Sequence, residues 1–490
     1  MKQKSELFEL IKSLDKNEKR YFKLYVSSQK GEKNYLKLFN VIDKQRVYNE
    51  AKIKKLFEDE KFISQIGFTK NYLYNLIIRS LVNYNNESSV DSRIHTMISQ
   101  CKILYSKALF SQYFKTLEKV KQFCKKYERY GYLLQVLDME KMIIKKEEVL
   151  EDKASNTYNE AINAIENLKL MFEYTHITAK LLDSYRTFGI TRSEANKNTI
   201  DSILRLEAMN ISEENLCYRA RESFFRVHEI IGELNAEYVD SLNAQEKRLK
   251  IVNDFPLPFE NYIIKFSEDI LFTMVDTNLK LNRIDEAEKY LRQMNPPENK
   301  SDEVDYNLFI PLTEFRIMMK RGNFKKAAEA SAKLEELLLR YKGKMLIDTE
   351  LSIKFEIVKC LIMAKDFESA LLKSNELINH PFLDKREDYE SYLRVMNLII
   401  HYELHNYDLL RYLIISTYRF LFKRKRLFRL ESLILEFIRK LPGLKENDDL
   451  GYLFHSFRKK LEVLKEDKYE KNAFEYFDFY EWIVNRHFEK

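Results

Sequence analysis

Apolar side chains recur along most of the chain at the three- and four-residue spacing of amphipathic helices. Residues 34–45 are one example, in which Tyr35, Leu38, Phe39 and Ile42 would share a face. From about residue 90 to 253 the chain alternates further helical segments with small breaks. The pattern therefore predicts an all-α fold.

Several polar residues are placed to start these helices. Asp15 and Glu18 resemble a capping box, in which each side chain would accept a hydrogen bond from the other's backbone N–H. Asn49 is positioned to cap a helix through about residue 57. After a break at Gly67, Thr69 is expected to cap a longer helix.

One turn pattern occurs four times in the second half of the chain. The four segments are Asn282–Ala287, Gly322–Ala327, Lys365–Ala370 and His405–Leu410. Each has turn-forming residues, then Ile284, Phe324, Phe367 or Tyr407, and three positions later a small residue, except for Leu410. Their last residues lie 40, 43 and 40 positions apart, which is room for two helices and their loops. Helix pairs at a fixed period predict a solenoid, because each pair covers its apolar stripe by stacking on the next.

These segments resemble the tetratricopeptide-repeat superfamily, whose second helix begins with a similar Gly or Asn, aromatic, two spacers and Ala. The resemblance covers residues 250–420 and implies an α-solenoid of antiparallel helical hairpins that binds peptides or protein segments in a concave groove. Helical hairpins of a compact bundle that share turn chemistry by chance are the alternative.

Composition breaks suggest three regions. Residues 1–88 form an amino-terminal helical unit, which closes at a polar stretch. Residues 89–253 form a degenerate hairpin array, with weak echoes of the turn spacing at Tyr113 and Tyr158. Residues 254–490 follow a loop with two prolines and hold the repeats and a carboxyl-terminal aromatic capping helix.

Composition agrees with a helical array. The chain has only 9 Gly and 7 Pro in 490 residues, too few for a protein built mainly from hairpins and tight strand turns. Its length exceeds the size at which one hydrophobic core stops growing. Several small cores in series are therefore expected.

The net charge of +7 is modest, but one window concentrates it. Residues 411–440 contain nine basic and two acidic residues. The candidate partner-binding patch within it comprises Arg419, Lys423, Arg424, Lys425, Arg426 and Arg429. These cations either complement the carbonyl end of a helix dipole or bind an acidic protein segment, nucleic-acid phosphates or an anionic membrane surface.

The carboxyl-terminal segment is rich in aromatic residues: Phe474, Tyr476, Phe477, Phe479, Tyr480, Trp482 and Phe488. They point in too many directions for one exposed helix face. The segment is expected either to cap the solenoid or to contact a partner or a second copy.

Enzymatic chemistry finds little support in the sequence. Clustered glycines for a phosphate cradle are absent, and the four cysteines lack zinc or redox spacing. His401 and His405 could share a helix face and one zinc ion, but Tyr402 stands where a zincin requires Glu, so ordinary histidines are expected. We expect no catalytic residue, cofactor or metal site.

No secretory segment or apolar run of membrane-spanning length is visible, so a cytoplasmic protein is expected. The predicted function is a non-catalytic scaffold or adaptor that binds a protein or peptide. The alternative is a nucleic-acid-associated regulator that uses the 411–440 window or the amino-terminal unit, where 50–57 and 69–82 could be drawn as helix-turn-helix. An amino-terminal end cap is the competing interpretation of that unit.

Overall fold

The computed structural model describes residues 6–27, 33–84, 89–144, 151–259, 263–296, 300–441 and 448–487. The described residues form helices and connecting turns and contain no strand. The fold is therefore all-α, as predicted. Two compact units divide the chain at Thr157, within helix α9. This division differs from the boundaries expected at 88/89 and 253/254. Residue 88 lies outside the described residues, and both boundaries stay predictions.

Unit 1 contains eight helices in the described residues and the start of a ninth. They are α1 (Glu6–Ser13), α2 (Lys16–Ser27), α3 (Lys33–Lys44), α4 (Glu50–Leu56), α5 (Ile66–Tyr84), α6 (Val90–Ser106), α7 (Phe110–Lys126), α8 (Tyr130–Ile144) and α9 (Glu151–Phe188), which continues into unit 2. Its amino-terminal core includes Leu38, Phe39 and Ile42, all fully buried. The Phe22 and Phe39 rings pack 4.6 Å apart there.

Two of the expected caps are confirmed and one is wrong. The Asp15 N–H donates to Glu18 Oε2 and the Glu18 N–H to Asp15 Oδ1, both at 2.8 Å. Asn49 Oδ1 accepts from the backbone N–H of Lys52 at 2.9 Å. Gly67 and Thr69, however, lie inside α5, where the Thr69 hydroxyl donates back to the Gln65 carbonyl. A 3₁₀ helix (Lys61–Gln65) runs directly into α5, so the expected break is absent and α4 and α5 are not joined by a short helix-turn-helix turn.

Unit 2 continues as a series of helical hairpins. Its helices are α10 (Glu194–Leu204), α11 (Tyr218–Asn235), α12 (Tyr238–Asp254), α13 (Ile263–Lys280), α14 (Ile284–Leu291), α15 (Lys300–Lys320), α16 (Phe324–Arg340), α17 (Ile347–Met363), α18 (Phe367–Ile378), α19 (Glu387–Glu403), α20 (Tyr407–Lys423), α21 (Arg429–Lys440), α22 (Asp448–Lys465) and α23 (Phe479–His487). From α11 to α20 each helix packs on the next, and α13, α17 and α19 also pack on the first helix of the following pair. This is the sequential packing of an α-solenoid.

The four predicted turns each join two helices of one hairpin. Asn282, Gly322, Lys365 and His405 all adopt positive φ, between 58° and 71°. The following N–H donates to the carbonyl five residues earlier, at 2.8 to 2.9 Å, in each case. This is a Schellman ending, which satisfies the last carbonyls of the first helix. The small residues Ala287, Ala327 and Ala370, and Leu410 in the fourth turn, are all fully buried.

Among the described residues, the turn at Lys425 after α20 has the same backbone form, as do three hairpin turns that the sequence comparison missed. Ala108, Glu128 and Ala236 also have positive φ and the same hydrogen bond. The next helix begins with an aromatic residue two positions later, at Phe110, Tyr130 and Tyr238. The expected echoes are wrong, because Tyr113 lies inside α7, three residues after Phe110, and Tyr158 lies inside the continuous helix α9. An aromatic residue that opens a helix was the signal the comparison missed.

The carboxyl-terminal segment lies against the hairpins of unit 2. It comprises a 3₁₀ helix (Glu470–Glu475) and α23. Tyr476, Phe477, Phe479 and Trp482 are buried, Phe474 and Tyr480 are partly buried, and Phe488 lies outside the described residues. The Tyr476 ring stacks on Tyr392 of α19 at 4.3 Å. This segment thus belongs to the core.

Candidate functional site

The six cations of the predicted patch have different environments. Arg424 pairs with Glu387, and Arg429 pairs with Asp467 at 2.6 Å. Arg426 is buried, and its guanidinium donates to the Thr187 carbonyl at 2.6 Å. Three of the six therefore hold parts of unit 2 together.

The other three cations, Arg419, Lys423 and Lys425, are exposed. Within the described part of the chain, no carboxylate lies within 4.0 Å of them. Arg419 and Lys423 lie on α20, and Lys425 follows it. Their role in binding stays a prediction.

Large apolar side chains share the exposed side of α20 with these cations. We use the name α20 face for Arg411, Tyr412, Ile415, Tyr418, Arg419, Phe422 and Lys423. The exposed fractions of its apolar members are 74% for Tyr412, 66% for Phe422, 53% for Ile415 and 48% for Tyr418. The Tyr418 and Phe422 rings stack, with an interplanar angle of 12°. Spacings of three and four residues place these side chains along the helix side opposite the buried residues.

The second helices of the two preceding hairpins, α16 and α18, lack such a surface. On α16 the exposed large apolar residue is Leu339, and on α18 it is Leu372. All residues of both helices are described. Basic residues alone drew attention to this region of the sequence, although the interleaved aromatic residues were equally visible.

The two histidines weighed as zinc ligands have separate partners. His401 is buried, and its Nδ1 lies 3.2 Å from Asn406 Nδ2. His405 forms the left-handed turn residue, and its Nδ1 lies 2.7 Å from the Tyr407 hydroxyl. Burial lowers the pKa of His401. Within the described ranges, no group of three or more His, Cys, Asp or Glu side chains is arranged to hold a metal ion.

A cavity of about 420 Å³ lies among the inner helices of unit 2. Its walls come from the first helices of successive hairpins, α13, α15, α17 and α19, and from the segment Phe474–Asp478. Aromatic rings, among them Tyr185 and Phe355, form much of the wall. The cavity is large enough for a small organic molecule.

Two cations in this cavity are neutralised by ion pairs. Arg316 donates to both Glu356 oxygens, at 2.5 and 2.9 Å, and to Asp276 at 2.8 Å. Lys280 pairs with Asp276 at 2.8 Å and also with Glu233. Burial alone would raise the pKa of Asp276, but Lys280 and Arg316 hold it at about 2. Asp276 is therefore a fixed anion of this network.

A second charged network anchors the carboxyl-terminal segment. The buried Arg192 guanidinium pairs with Glu431 at 2.9 Å and with Glu470 at 2.8 Å. Glu470 also accepts hydrogen bonds from the backbone N–H groups of Arg429 and Leu430, at the start of α21. Charge complementarity at a helix amino terminus stabilises this carboxylate. We call these contacts the Arg192 clasp. They join the carboxyl-terminal segment to the start of α21, so we assign them a structural role.

No described helix has the length and apolar character needed to span a bilayer. Comparisons with protein-family models, curated proteins and solved structures find no match for the chain. The conclusions about function therefore rest on the geometry of unit 2.

Proposed function

We propose that this protein is a non-catalytic, cytoplasmic scaffold or adaptor of tetratricopeptide-like hairpins, and that its α20 face docks an acidic amphipathic helix of a protein partner. The exposed apolar row on α20 is the observation that carries the proposal. Stacked hairpins with Schellman turns support the likeness to tetratricopeptide repeats.

The α20 face has the form of a helix-docking surface. Its apolar side chains Tyr412, Ile415, Tyr418 and Phe422 follow helical spacing, so an antiparallel or crossing helix can place its own apolar row against them. Fully burying each such side chain contributes about 1.5–3 kcal/mol. Exposed aromatic side chains beside arginine are also typical of the strongest contacts in protein interfaces.

The charges of the α20 face determine which sign of charge a partner should carry. Arg411, Arg419 and Lys423 flank the apolar row, and Lys425 lies just beyond the helix. Asp408, at the amino end, is the only acidic residue of α20. Flanking cations accelerate association with an acidic partner and disfavour a basic one. The partner helix should therefore carry Glu or Asp around its apolar face.

Direct binding to a designed probe tests this proposal. The probe is a fluorescent peptide of about twenty residues, long enough to form a helix, with Leu at i, i+3, i+4 and i+7 and Glu elsewhere. We expect full-length protein to bind it, and the same peptide with Lys in place of Glu to bind at least tenfold more weakly. Fluorescence anisotropy measures both affinities.

Two variants separate the apolar and charged contributions. Tyr412→Ser with Phe422→Ser, and Arg419→Ser with Lys423→Ser and Lys425→Ser, should each weaken peptide binding about tenfold without lowering the melting temperature, since all five side chains are exposed. Arg424, Arg426 and Arg429 are left intact because they hold internal contacts. Leu339→Ser on α16 is the matched control and should bind like the wild type. Unchanged binding by both α20 variants would refute the proposal.

An oligonucleotide probe tests the alternative of a nucleic-acid-associated regulator. A labelled single-stranded oligonucleotide that binds more tightly than the peptide, with affinity falling steeply as salt rises, would favour phosphate recognition instead. The peptide complex should keep most of its affinity in moderate salt because its apolar contacts are not screened.

A further inference from the structure

Two polar groups in the inner cavity have unused hydrogen-bonding capacity. Tyr238 is 7% exposed, and its hydroxyl has no hydrogen-bond partner among the described residues. The Lys359 ammonium donates to the backbone carbonyl of Glu475 at 3.2 Å. No described carboxylate lies within 4.0 Å of it. Both groups line the same cavity.

Tyr238 is buried and Lys359 is half-buried, so unused hydrogen-bonding capacity at either group carries a cost. A buried hydroxyl that makes no hydrogen bond costs about 1–3 kcal/mol. Lys359 has three N–H donors and uses one of them on the Glu475 carbonyl. Burial lowers the pKa of Lys359; the carboxylates Glu356 and Glu475 act in the opposite direction, and the cations Lys320 and Arg316 lower it further. An anion beside Lys359 would relieve this cost.

Most other charged groups of the cavity already have partners, so an added anion would bind beside Lys359. Glu233, Asp276 and Glu356 are already paired with Lys280 and Arg316. On the carboxyl-terminal segment, Asp478 pairs with Lys465, while Glu475 and Glu481 have exposed side chains. Lys320 adds an exposed cation on the cavity wall. Glu356 and Glu475 attract the Lys359 charge, but no described carboxylate lies within 4.0 Å of its ammonium.

We propose that the inner cavity of unit 2 binds a small organic anion, with its carboxylate or phosphate group accepting hydrogen bonds from Lys359 and another oxygen accepting from the Tyr238 hydroxyl. The aromatic walls at Tyr185, Phe355 and Tyr389 suit an apolar or aromatic body. This site is separate from protein docking on α20. It would make the scaffold responsive to a small molecule.

Binding of defined anions to the full chain tests the site. The probes are benzoate, phenyl phosphate and inorganic phosphate, with benzyl alcohol as the neutral control and chloride at matched ionic strength. We expect at least one organic anion to raise the melting temperature and bind with a measurable heat by calorimetry. The comparison of benzoate with phenyl phosphate distinguishes a carboxylate from a phosphate ligand. Absence of binding above the chloride control by all three anions would overturn the proposal.

Variants identify the residues responsible. Lys359→Met should weaken the bound anion at least tenfold and Tyr238→Phe about threefold, whereas Lys359→Arg should retain binding. Lys342→Met and Tyr452→Phe, both at exposed positions outside the two proposed sites, are the matched controls. Without ligand, Lys359→Met should melt at a slightly higher temperature, because it removes a half-buried charge. Anion binding that is equal in Lys359→Met and wild type would contradict the assignment.

The anion-site proposal and the docking proposal can fail independently of each other. The α20 variants should retain anion binding, and Lys359→Met should retain the acidic peptide. A high-resolution structure in which an ordered water alone satisfies Tyr238, in the presence of saturating benzoate and phenyl phosphate, would also refute the anion site.

Discussion

Single residues decide how closely the segments of unit 2 approach each other. Gly189 follows α9 with a φ of +71°, which L-residues with a side chain rarely adopt. A Cβ atom there would meet the Tyr476 hydroxyl and would lie 2.7 Å from Asp388 Oδ2. Gly322 has the same φ, but a Cβ atom there would have no neighbour within 4 Å. Comparing substitutions at the two glycines therefore separates the cost of backbone strain from the cost of a steric clash.

We expect Gly189→Ala to destabilise the protein more than Gly322→Ala. The left-handed backbone costs about 1–2 kcal/mol in both variants. Overpacking against Tyr476 and Asp388 adds about 1–3 kcal/mol at Gly189 alone. Urea unfolding of both variants measures the difference, and equal losses would show that the carboxyl-terminal segment does not press on this loop.

The buried His401 should make stability depend on pH. Its folded-state pKa lies below the ordinary value of 6.5 because burial disfavours the charged ring. As the pH falls below about 6.5, the unfolded chain therefore binds a proton that the folded protein resists, and stability is lost. His401→Leu should lose less stability than wild type between pH 7 and pH 5. Denaturant unfolding at both pH values measures this, and identical losses would contradict the prediction.

After three of the four repeated turns a small buried residue lets the paired helices pack closely, and Leu410 takes this position after the fourth. Ala327 is fully buried in α16, where Leu334 and Leu338 belong to the same apolar face. Because Ala327 has no exposed surface in a close-packed core, a larger side chain there must displace its neighbours. The turn and the close helix contact that follows it therefore form one structural unit.

Ala327→Leu should cost about 1–3 kcal/mol through overpacking. Ala332→Leu on the same helix is the matched control, because Ala332 is exposed and both changes have similar helix propensity. The melting temperature should fall for Ala327→Leu only. Similar melting of the two variants would mean that the hairpins separate easily at this contact.

At the scale of the molecule, the carboxyl-terminal segment joins distant parts of unit 2. The Tyr476 hydroxyl accepts from the Ile190 N–H at 2.8 Å, and the Asn472 amide donates to the Thr191 carbonyl at 2.7 Å. The Arg192 clasp adds the ion pair to Glu470. These contacts connect positions more than 270 residues apart in sequence.

Deletion of residues 468–490 should lower the melting temperature and promote association. It would expose the apolar surface around Tyr392 and remove one carboxylate from the buried Arg192. Breaking a buried ion pair commonly costs about 3–5 kcal/mol. Glu470→Gln tests the ionic contribution alone and should destabilise less than the deletion. Calorimetry and light scattering measure both effects, and a truncated monomer with unchanged melting would show that the segment is dispensable for folding.

Much of the fold was predictable because its determinants are local. Helical periodicity, the Asp15–Glu18 capping box and the four repeated turns each depend on residues within about two helical turns of one another. Position in an amphipathic pattern fixes which side of a helix is buried. The all-α class and the stacked hairpins follow from these short-range features.

Only the tertiary structure decided which polar groups meet. The run 423–426 looks uniform in sequence, yet packing buries Arg426 and leaves Lys423 and Lys425 exposed. Tyr238 and Lys359 line one cavity although 121 positions separate them in sequence. Their meeting depends on how α12, α17 and the carboxyl-terminal segment pack. No residue spacing along the chain encodes such an arrangement, because it is the sum of many helix-packing contacts.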